Sequence, residues 1–267
     1  MLVKALDMAE ALKNGPIGDA MGPGAPLVVE IMGPAGTGKT TLSRALRKRH
    51  PNIAPDIDSR LSKLDKIPFV ISDACSLLPT YLRRYRHSRW FDRRETRSMA
   101  YLQAGLKLLD RGTTTNDMVT VLDHGPIYRL AFLREFGPEI TTSDAYRWWW
   151  TKLLERWTVK LDLVISLDAP DEVLVDRIRA RDCWHVVKEA PDHEAYEVLR
   201  RYRAAFEQTI AESLTPGRVP LLRFDTSLLS TEEIADELLA TLASWRDTGG
   251  GRPRTDGMAA GISSSGS

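Results

Sequence analysis

Cysteine is scarce in this sequence. Only Cys75 and Cys183 occur among 267 residues, and neither sits in a partner motif. That excludes a disulfide framework or a zinc module and leaves two reduced core thiols as the expectation. Long apolar runs are absent as well: none approaches the ~20 residues needed to cross a bilayer. The opening MLVKALDMAEALKN sets Asp7 and Glu10 among its apolar positions, so it does not read as a secretion signal. The cytoplasm is the compartment these absences imply. Charge of one sign is missing too, since 37 Lys and Arg stand against 36 Asp and Glu for a net charge of +1. Such balance gives no global attraction to nucleic acid or membrane, so any basic site must be local.

What is present is the profile of a globular chain, 43% hydrophobic and 27% charged. Residues 1–24 hold Leu2, Leu6, Ala9 and Leu12 at helical spacing, followed by a Gly/Pro-rich linker. Residues 247–267 have nothing with which to fill a core and are expected to be disordered. The folded body is therefore 25–246, and it contains no internal repeat. Strands are expected at LVVEIM (27–32), MVTVLD (118–123), LDLVISLD (161–168) and VPLLRFD (219–225). The first and third are nearly continuous apolar runs, as in strands covered on both faces. Helices are expected over 41–49, 94–110 and 143–160. The last carries Tyr146, Trp149, Trp150, Leu153, Leu154 and Trp157 as a core stripe. IPFVISDA (67–74) fits a helical face better than a strand, with a second strand hidden near Ile53–Ile57. Strands alternating with helices mean an α/β protein with a parallel sheet.

The chemistry is concentrated in one octet, Gly33-Pro34-Ala35-Gly36-Thr37-Gly38-Lys39-Thr40, which matches G-x-x-x-x-G-K-[ST] at every position. Glycines let the backbone turn tightly and aim its N–H groups inward. The following helix, entered through Thr41, adds its positive end. Lys39 reaches the β- and γ-phosphates of ATP, and Thr40 ligates Mg²⁺. An apolar strand precedes the octet and an amphipathic helix follows it, which is the context the motif requires. Asp123 ends the strand MVTVLD, where an acid can hold the same Mg²⁺; as Asp before His-Gly-Pro it also suits a turn. His124 reads as either an acceptor-orienting group or a local hydrogen-bonding one.

After the strand ending at Asp168 comes APDEVLVDRIRARDCWHVVK (169–188). Asp171 is placed to cap a helix there. Arg177 and Arg181, four apart, share one face and read as a lid that closes over the transferring phosphoryl group, with His185 and Lys188 extending the charge. A surface network with Asp176 and Asp182 is the bland alternative.

Strand–GPAGTGKT–helix, VTVLDHGP, LDLVISLDAPDEVLVDRIRARD and VPLLRFDTSLLSTEEIADELL, in that order, resemble the thymidylate kinase and deoxynucleoside kinase group. The resemblance covers about residues 27–243. It implies a P-loop three-layer sandwich with a five-stranded, mostly parallel sheet, a helical lid, and an acceptor site between the lid and the helices after the P-loop. It also implies that Lys39 and Thr40 serve ATP, that Asp123 is the acid after the third strand, and that Arg177 and Arg181 belong to the lid. Two departures stand out. The group carries an Asp-Arg or Glu-Arg pair where this chain has Asp123-His124. No clear strand-end acid marks the general base either, which leaves Asp56, Asp58 and Asp73 as candidates. Gln103 reads as a base-edge reader by resemblance or as a solvated side chain.

The segment YLRRYRHSRWFDRRETR (81–97) sets seven arginines against Asp92 and Glu95. It is either a solvated helix face or a pocket for an anionic acceptor or a polynucleotide end. The function expected is an ATP-dependent phosphotransferase acting on a small hydroxyl or phosphate acceptor, nucleoside-like by resemblance. The rivals are an ATP-hydrolysing regulatory NTPase and a nucleic-acid 5′-end kinase.

Overall fold

The computed structural model describes residues 26–112, 118–182, 185–213 and 219–247. The expected N-terminal helix, Gly/Pro linker and C-terminal tail, like Cys183, lie outside the described residues.

Strand β1 (Leu27–Met32) is buried along its whole length. Val28 and Met32 contribute to one core, and Leu27, Val29 and Ile31 to another. That is how a period of two works when both faces are covered. Helix α1 (Lys39–Arg49) follows the glycine-rich loop, then the two-residue β2 (Ile53–Ala54) and a single helical turn, α2 (Ile57–Arg60). Helix α3 (Lys63–Thr80) begins with a capping box between Ser62 and Asp65. It contains Pro68 and Pro79 and runs into a π-helical turn at Tyr81–Tyr85. Pro79 removes a backbone donor just before this turn, a local cause for the loosened winding. The helical reading of 67–74 and the hidden second strand are thus what the chain adopts.

Helix α4 (Arg93–Asp110) opens on a second capping box, Asp92 with Glu95. Strand β3 (Val119–Asp123), helix α5 (Pro126–Phe136), helix α6 (Asp144–Lys160) and strand β4 (Leu163–Asp168) come next. Helix α7 (Asp171–Arg179), helix α8 (Asp192–Ser213), strand β5 (Leu221–Asp225) and helix α9 (Thr231–Asp247) complete the described chain.

The strands form one sheet in the order β2-β3-β1-β4-β5, with every pairing parallel. Helices α1 and α9 pack Leu42, Leu46, Ile234 and Leu238 on one face. Helices α4, α5, α6 and α8 cover the other with Leu102, Leu130, Trp157 and Phe206. This is the α/β sandwich implied by the resemblance, and all five strands are parallel. The Trp stripe of α6 is core, with Tyr146, Trp149, Trp150 and Trp157 buried, while Trp148 points to solvent. Trp157 fills its site completely and donates from Nε1 to Leu102 O at 3.0 Å. Two expectations are corrected. Cys75 is exposed rather than a core thiol, because it lies opposite the buried Asp73 and Leu77 on α3. Asp171 caps nothing: Pro170 is the N-cap, and the Asp171 carboxylate is drawn instead to Arg203 of α8. Among the described residues no helix is long and apolar enough to cross a membrane.

Candidate active site

β1 lies between β3 and β4, so the chain leaves it in opposite directions on its two sides. The crevice at the carboxyl ends of such strands is where open α/β sheets bind ligands. The glycine-rich octet occupies this crevice. Gly33 has φ 142°, and a Cβ there would stand 2.1 Å from Leu167 O of β4. Gly36 has φ 92° and passes so close to α7 that a Cβ would meet Leu174 O at 2.9 Å. No L side chain suits either place, so the loop is held between two elements by its missing side chains. Thr37 Oγ1 donates to Pro34 O at 3.0 Å and closes the turn.

Lys39 is buried, and its Nζ donates to Gly33 O at 2.8 Å and Pro34 O at 2.7 Å. Burial pushes the ammonium down to about 8. The Asp123 charge works against that shift, and the Arg181 charge adds to it. An ammonium so poorly solvated, satisfied only by neutral carbonyls, gains from any anion placed in the loop.

Thr40 Oγ1 donates to Asp123 Oδ2 at 2.6 Å, joining the first turn of α1 to the end of β3. Asp123 Oδ1 is buried without a hydrogen-bond partner. His124 Nδ1 comes within 3.0 Å of it as an ionic neighbour, without hydrogen-bond alignment. Burial raises the Asp123 carboxyl, but His124, Thr40 and Lys39 outweigh it and hold it below its ordinary value. A hydroxyl and an ionised carboxylate with a spare buried oxygen, side by side beneath a phosphate loop, fit a hard divalent cation. His124 adopts φ 61°, and its ring meets Tyr128 edge-on at 4.5 Å between centroids. Burial lowers its pKa, as do Lys39 and Arg129 nearby, with Asp123 opposing them.

Three acids were open as the general base, and their surroundings separate them. Asp58 is tied to Lys66 and Arg97, both at 2.6 Å. Asp73 lies inside the helical layer, accepting from Gln103 Nε2 at 2.6 Å and Trp149 Nε1 at 2.9 Å. That contact also places Gln103: it satisfies a buried carboxylate rather than facing a ligand. Asp56 alone follows β2 at the crevice edge. Burial pushes it up to about 6, with Asp123 and Asp58 adding to the rise and Arg129 opposing it.

Two cations face this acidic group from the helical side. Arg129 of α5 lies 3.9 Å above the Tyr101 ring and donates from Nε to His124 O at 2.8 Å. It brings a guanidinium to the strand end where the resemblance expects an arginine directly after the acid. The signal was legible as a lone charge inside the apolar run IYRLAFL. Arg94, at the start of α4, lies 4.4 Å above the Phe132 ring, and its charge reaches Tyr128, Tyr202 and His185. The arginine cluster therefore divides. Arg94, though exposed, lies against the Phe132 ring, Arg89 is locked to Glu95 at 2.7 Å, Arg97 pairs with Asp58, and Arg83, Arg84, Arg86 and Arg93 are exposed.

A residue that sequence reasoning missed altogether is Glu30. It is fully buried in β1 on the Val28–Met32 face. Its carboxylate accepts from Ile127 N at 3.0 Å and Tyr128 N at 2.9 Å, at the N-terminus of α5. Burial nonetheless pushes it up to about 7. A Cβ on Gly125 would stand 2.7 Å from the Glu30 carboxyl carbon, so the Gly-Pro entry to α5 is cut to fit this anchor.

The lid arginines differ from expectation. Arg177 is pinned, donating to Thr226 Oγ1 at 2.9 Å and Thr226 O at 2.8 Å, because the β5–α9 turn passes beside α7. With Arg181, Gly36, Gly38 and Thr41 it lines a recess of about 470 Å³ next to the loop. Arg181 lies just past the end of α7, where its charge acts on both Lys39 and His185. A larger cleft, about 640 Å³, opens beyond Pro34, but its arginines are already paired, Arg203 with Asp168 and Arg223 with Glu207.

No curated protein matches the chain in sequence. Solved structures similar to it include deoxyadenosine kinase from M. mycoides with bound dCTP, at 15% identity and a TM-score of 0.42, covering 82% of this chain and 100% of that one. Thymidylate kinase from Candida albicans is similar at 12% identity and 0.47, covering 84% and 94%. Shikimate kinase from Bacteroides thetaiotaomicron is similar at 12% and 0.42, covering 81% and 98%. A family model described as an AAA domain matches residues 29–197, from β1 through the phosphate loop, Asp123 and α7 into α8. On that match, which takes in well over half of its length, the chain belongs to the AAA-domain family.

Proposed function

We propose that this chain is an ATP-dependent phosphotransferase that moves the γ-phosphoryl group to a small, nucleoside-like hydroxyl or phosphate acceptor. The observation that carries the reading is that the crevice has two unlike sides. One is a glycine-rich amide cradle with a buried ammonium; the other combines an acid of raised pKa, Asp56, with two arginines held over aromatic rings, Arg94 and Arg129. A nucleotide-hydrolysing switch needs only the first side. A phosphotransferase needs both.

In this reading the loop amides from Gly33 to Thr41 grip the polyphosphate, and Lys39 swings from its own loop carbonyls to the β- and γ-oxygens. Thr40 and Asp123 would hold Mg²⁺, whose charge would offset that of the polyphosphate. Arg177, fixed against Thr226, flanks the recess that takes the nucleoside end of ATP. Arg181 and His185 bring positive charge to the transferring group. Arg94 and Arg129 orient the acceptor. When the acceptor is a hydroxyl, its oxygen bonds to the γ-phosphorus as the bond to the β,γ-bridging oxygen breaks. The hydroxyl proton passes to the Asp56 carboxylate and ADP leaves.

The test is an acceptor screen with Mg-ATP across nucleosides, nucleoside monophosphates, sugars and oligonucleotides with free 5′-hydroxyls. ADP formation and phosphate transfer to the acceptor are read together. Acceptor-dependent ADP is expected, and Lys39→Ala should abolish it while the circular dichroism spectrum stays unchanged. Fast phosphate release indifferent to every acceptor would reject the reading in favour of a hydrolase, and labelling confined to oligonucleotides would make the chain a 5′-end kinase.

A further inference from the structure

A carboxylate is costly to bury, yet the chain keeps Glu30 in the middle of β1 with no exposed surface. Its oxygens accept from the amide of Ile127, 97 residues further on, and from that of Tyr128. Helix α5 has no cap of its own. Its N-cap is Gly125, which has no side chain to offer, and any Cβ there would collide with Glu30. Pro126 has no N–H, and Arg129 N already donates to Gly125 O at 3.0 Å. Glu30 therefore satisfies both amides that the first turn leaves over. A polar side chain at the N-cap would have fixed α5 to its own turn. With the cap supplied from β1, α5 is fixed instead to the strand that enters the phosphate loop three residues on, at Gly33.

We infer that Glu30 is a positioning residue for the acceptor: by tying the first turn of α5 to β1, it sets where Arg129 stands in the crevice. The inference rests on the acceptor-orienting role proposed for Arg129. Its guanidinium moves with that turn, because Nε donates to His124 O at 2.8 Å and the preceding residue, Tyr128, is held by Glu30. Helix α4 steadies it from the other side. Ser98 Oγ accepts from Arg129 Nη1 at 3.2 Å, and the Tyr101 ring lies 3.9 Å away. Tyr101 in turn donates to Asp56 Oδ1 at 3.4 Å. The Tyr128 ring, on the same turn, lies 5.6 Å from Lys39 Nζ. The link is electrostatic too: the Arg129 charge favours ionised Glu30 against its burial, while the Asp56 charge opposes it. One carboxylate thus holds the acceptor side in register with the phosphate loop. At such a place a displacement of about 1 Å is enough to cost catalysis.

The test is a double-mutant cycle at about pH 8, where Glu30 is ionised, with Mg-ATP and deoxyadenosine or its 5′-monophosphate as acceptor. Glu30→Gln keeps the shape but turns one accepting oxygen into an NH₂ donor that opposes a backbone N–H. The KM for the acceptor should rise about tenfold, and the KM for ATP should change by less than about twofold. Glu30→Asp, which keeps the charge and shortens the reach, should do the same. In Arg129→Ala, adding Glu30→Gln should change the acceptor KM by less than about twofold. A purely structural Glu30 would lower the apparent kcat with the folded fraction and leave both KM values alone, which would overturn the inference. Equal effects of Glu30→Gln with and without Arg129 would overturn it as well. Crystal structures of wild type and Glu30→Gln supply a readout that needs no activity. The Arg129 guanidinium should be displaced by about 1 Å, and a guanidinium left in place would sink the inference. If neither acceptor draws ADP from the wild type, the nucleoside-like acceptor falls, and the crystallographic comparison alone decides the role of Glu30.

Discussion

Asp56 and Asp123 lie in the same crevice and are pushed in opposite directions. Burial and the neighbouring acids raise the first to about 6, whereas His124, Thr40 and Lys39 keep the second ionised. Two carboxylates held apart in this way suit two roles, a proton acceptor and a cation ligand. If Asp56 is the base, its ionised form is the active one. Activity toward a hydroxyl acceptor should then fall as pH drops through about 6, and a pH–rate profile of kcat/KM checks this. Asp56→Asn keeps the shape and removes the basic carboxylate. It should lower kcat by about 10²–10⁴-fold with little change in the KM for ATP, and it should erase the acid limb. Equal activity in the variant would leave Asp56 a structural residue. The sequence offered Asp56, Asp58 and Asp73 on equal terms because each stands before or within a helix. Only the neighbours divide them: Lys66 and Arg97 around Asp58, Gln103 and Trp149 around Asp73.

Among the elements, β1 and α5 are joined by an arrangement that makes stability depend on pH. Glu30 moves from an ordinary 4.5 to about 7 in the fold, so the folded chain holds its proton more tightly than the unfolded one. Between those values stability should decline as pH rises, and above about 7 the full penalty, about 3 kcal/mol, is present. Urea unfolding of wild type and Glu30→Gln at pH 5 and pH 8 checks it. The variant should show the smaller loss on going to pH 8, and identical losses would mean that Glu30 keeps its usual affinity for protons. The contact of α6 with α4 depends on Trp157, which has no exposed surface and nearly touches Gly105. Trp157→Ala leaves a large void and removes the indole hydrogen bond to Leu102, so a loss of about 3–5 kcal/mol is expected in the same assay. The Trp157 stripe was legible as periodicity. The Glu30 anchor was not, because a single acid in an apolar strand gives no sign of the helix N-terminus awaiting it.

For the whole molecule, the sheet order puts the loop after β1 between the ends of β3 and β4. It thereby gathers side chains from residue 33 to residue 226 into one crevice. The same layering covers both faces of the sheet and leaves α3 at the edge with its apolar stripe outward.

The sequence by itself determined four of the five strands, helices α1, α4 and α6 and the phosphate loop, because these follow from local periodicity and from backbone shapes that only glycine tolerates. The octet from Gly33 to Thr40 needs no distant partner to be recognised. Tertiary structure decided which acid is left outside the ion pairs and the helical layer, that Gln103 serves Asp73 rather than a ligand, that Arg177 is pinned by Thr226, and that Arg129 brings a charge to the strand end after Asp123. Those outcomes depend on contacts between residues dozens of positions apart, where burial and neighbouring charge set each group's state. No spacing along the chain encodes them.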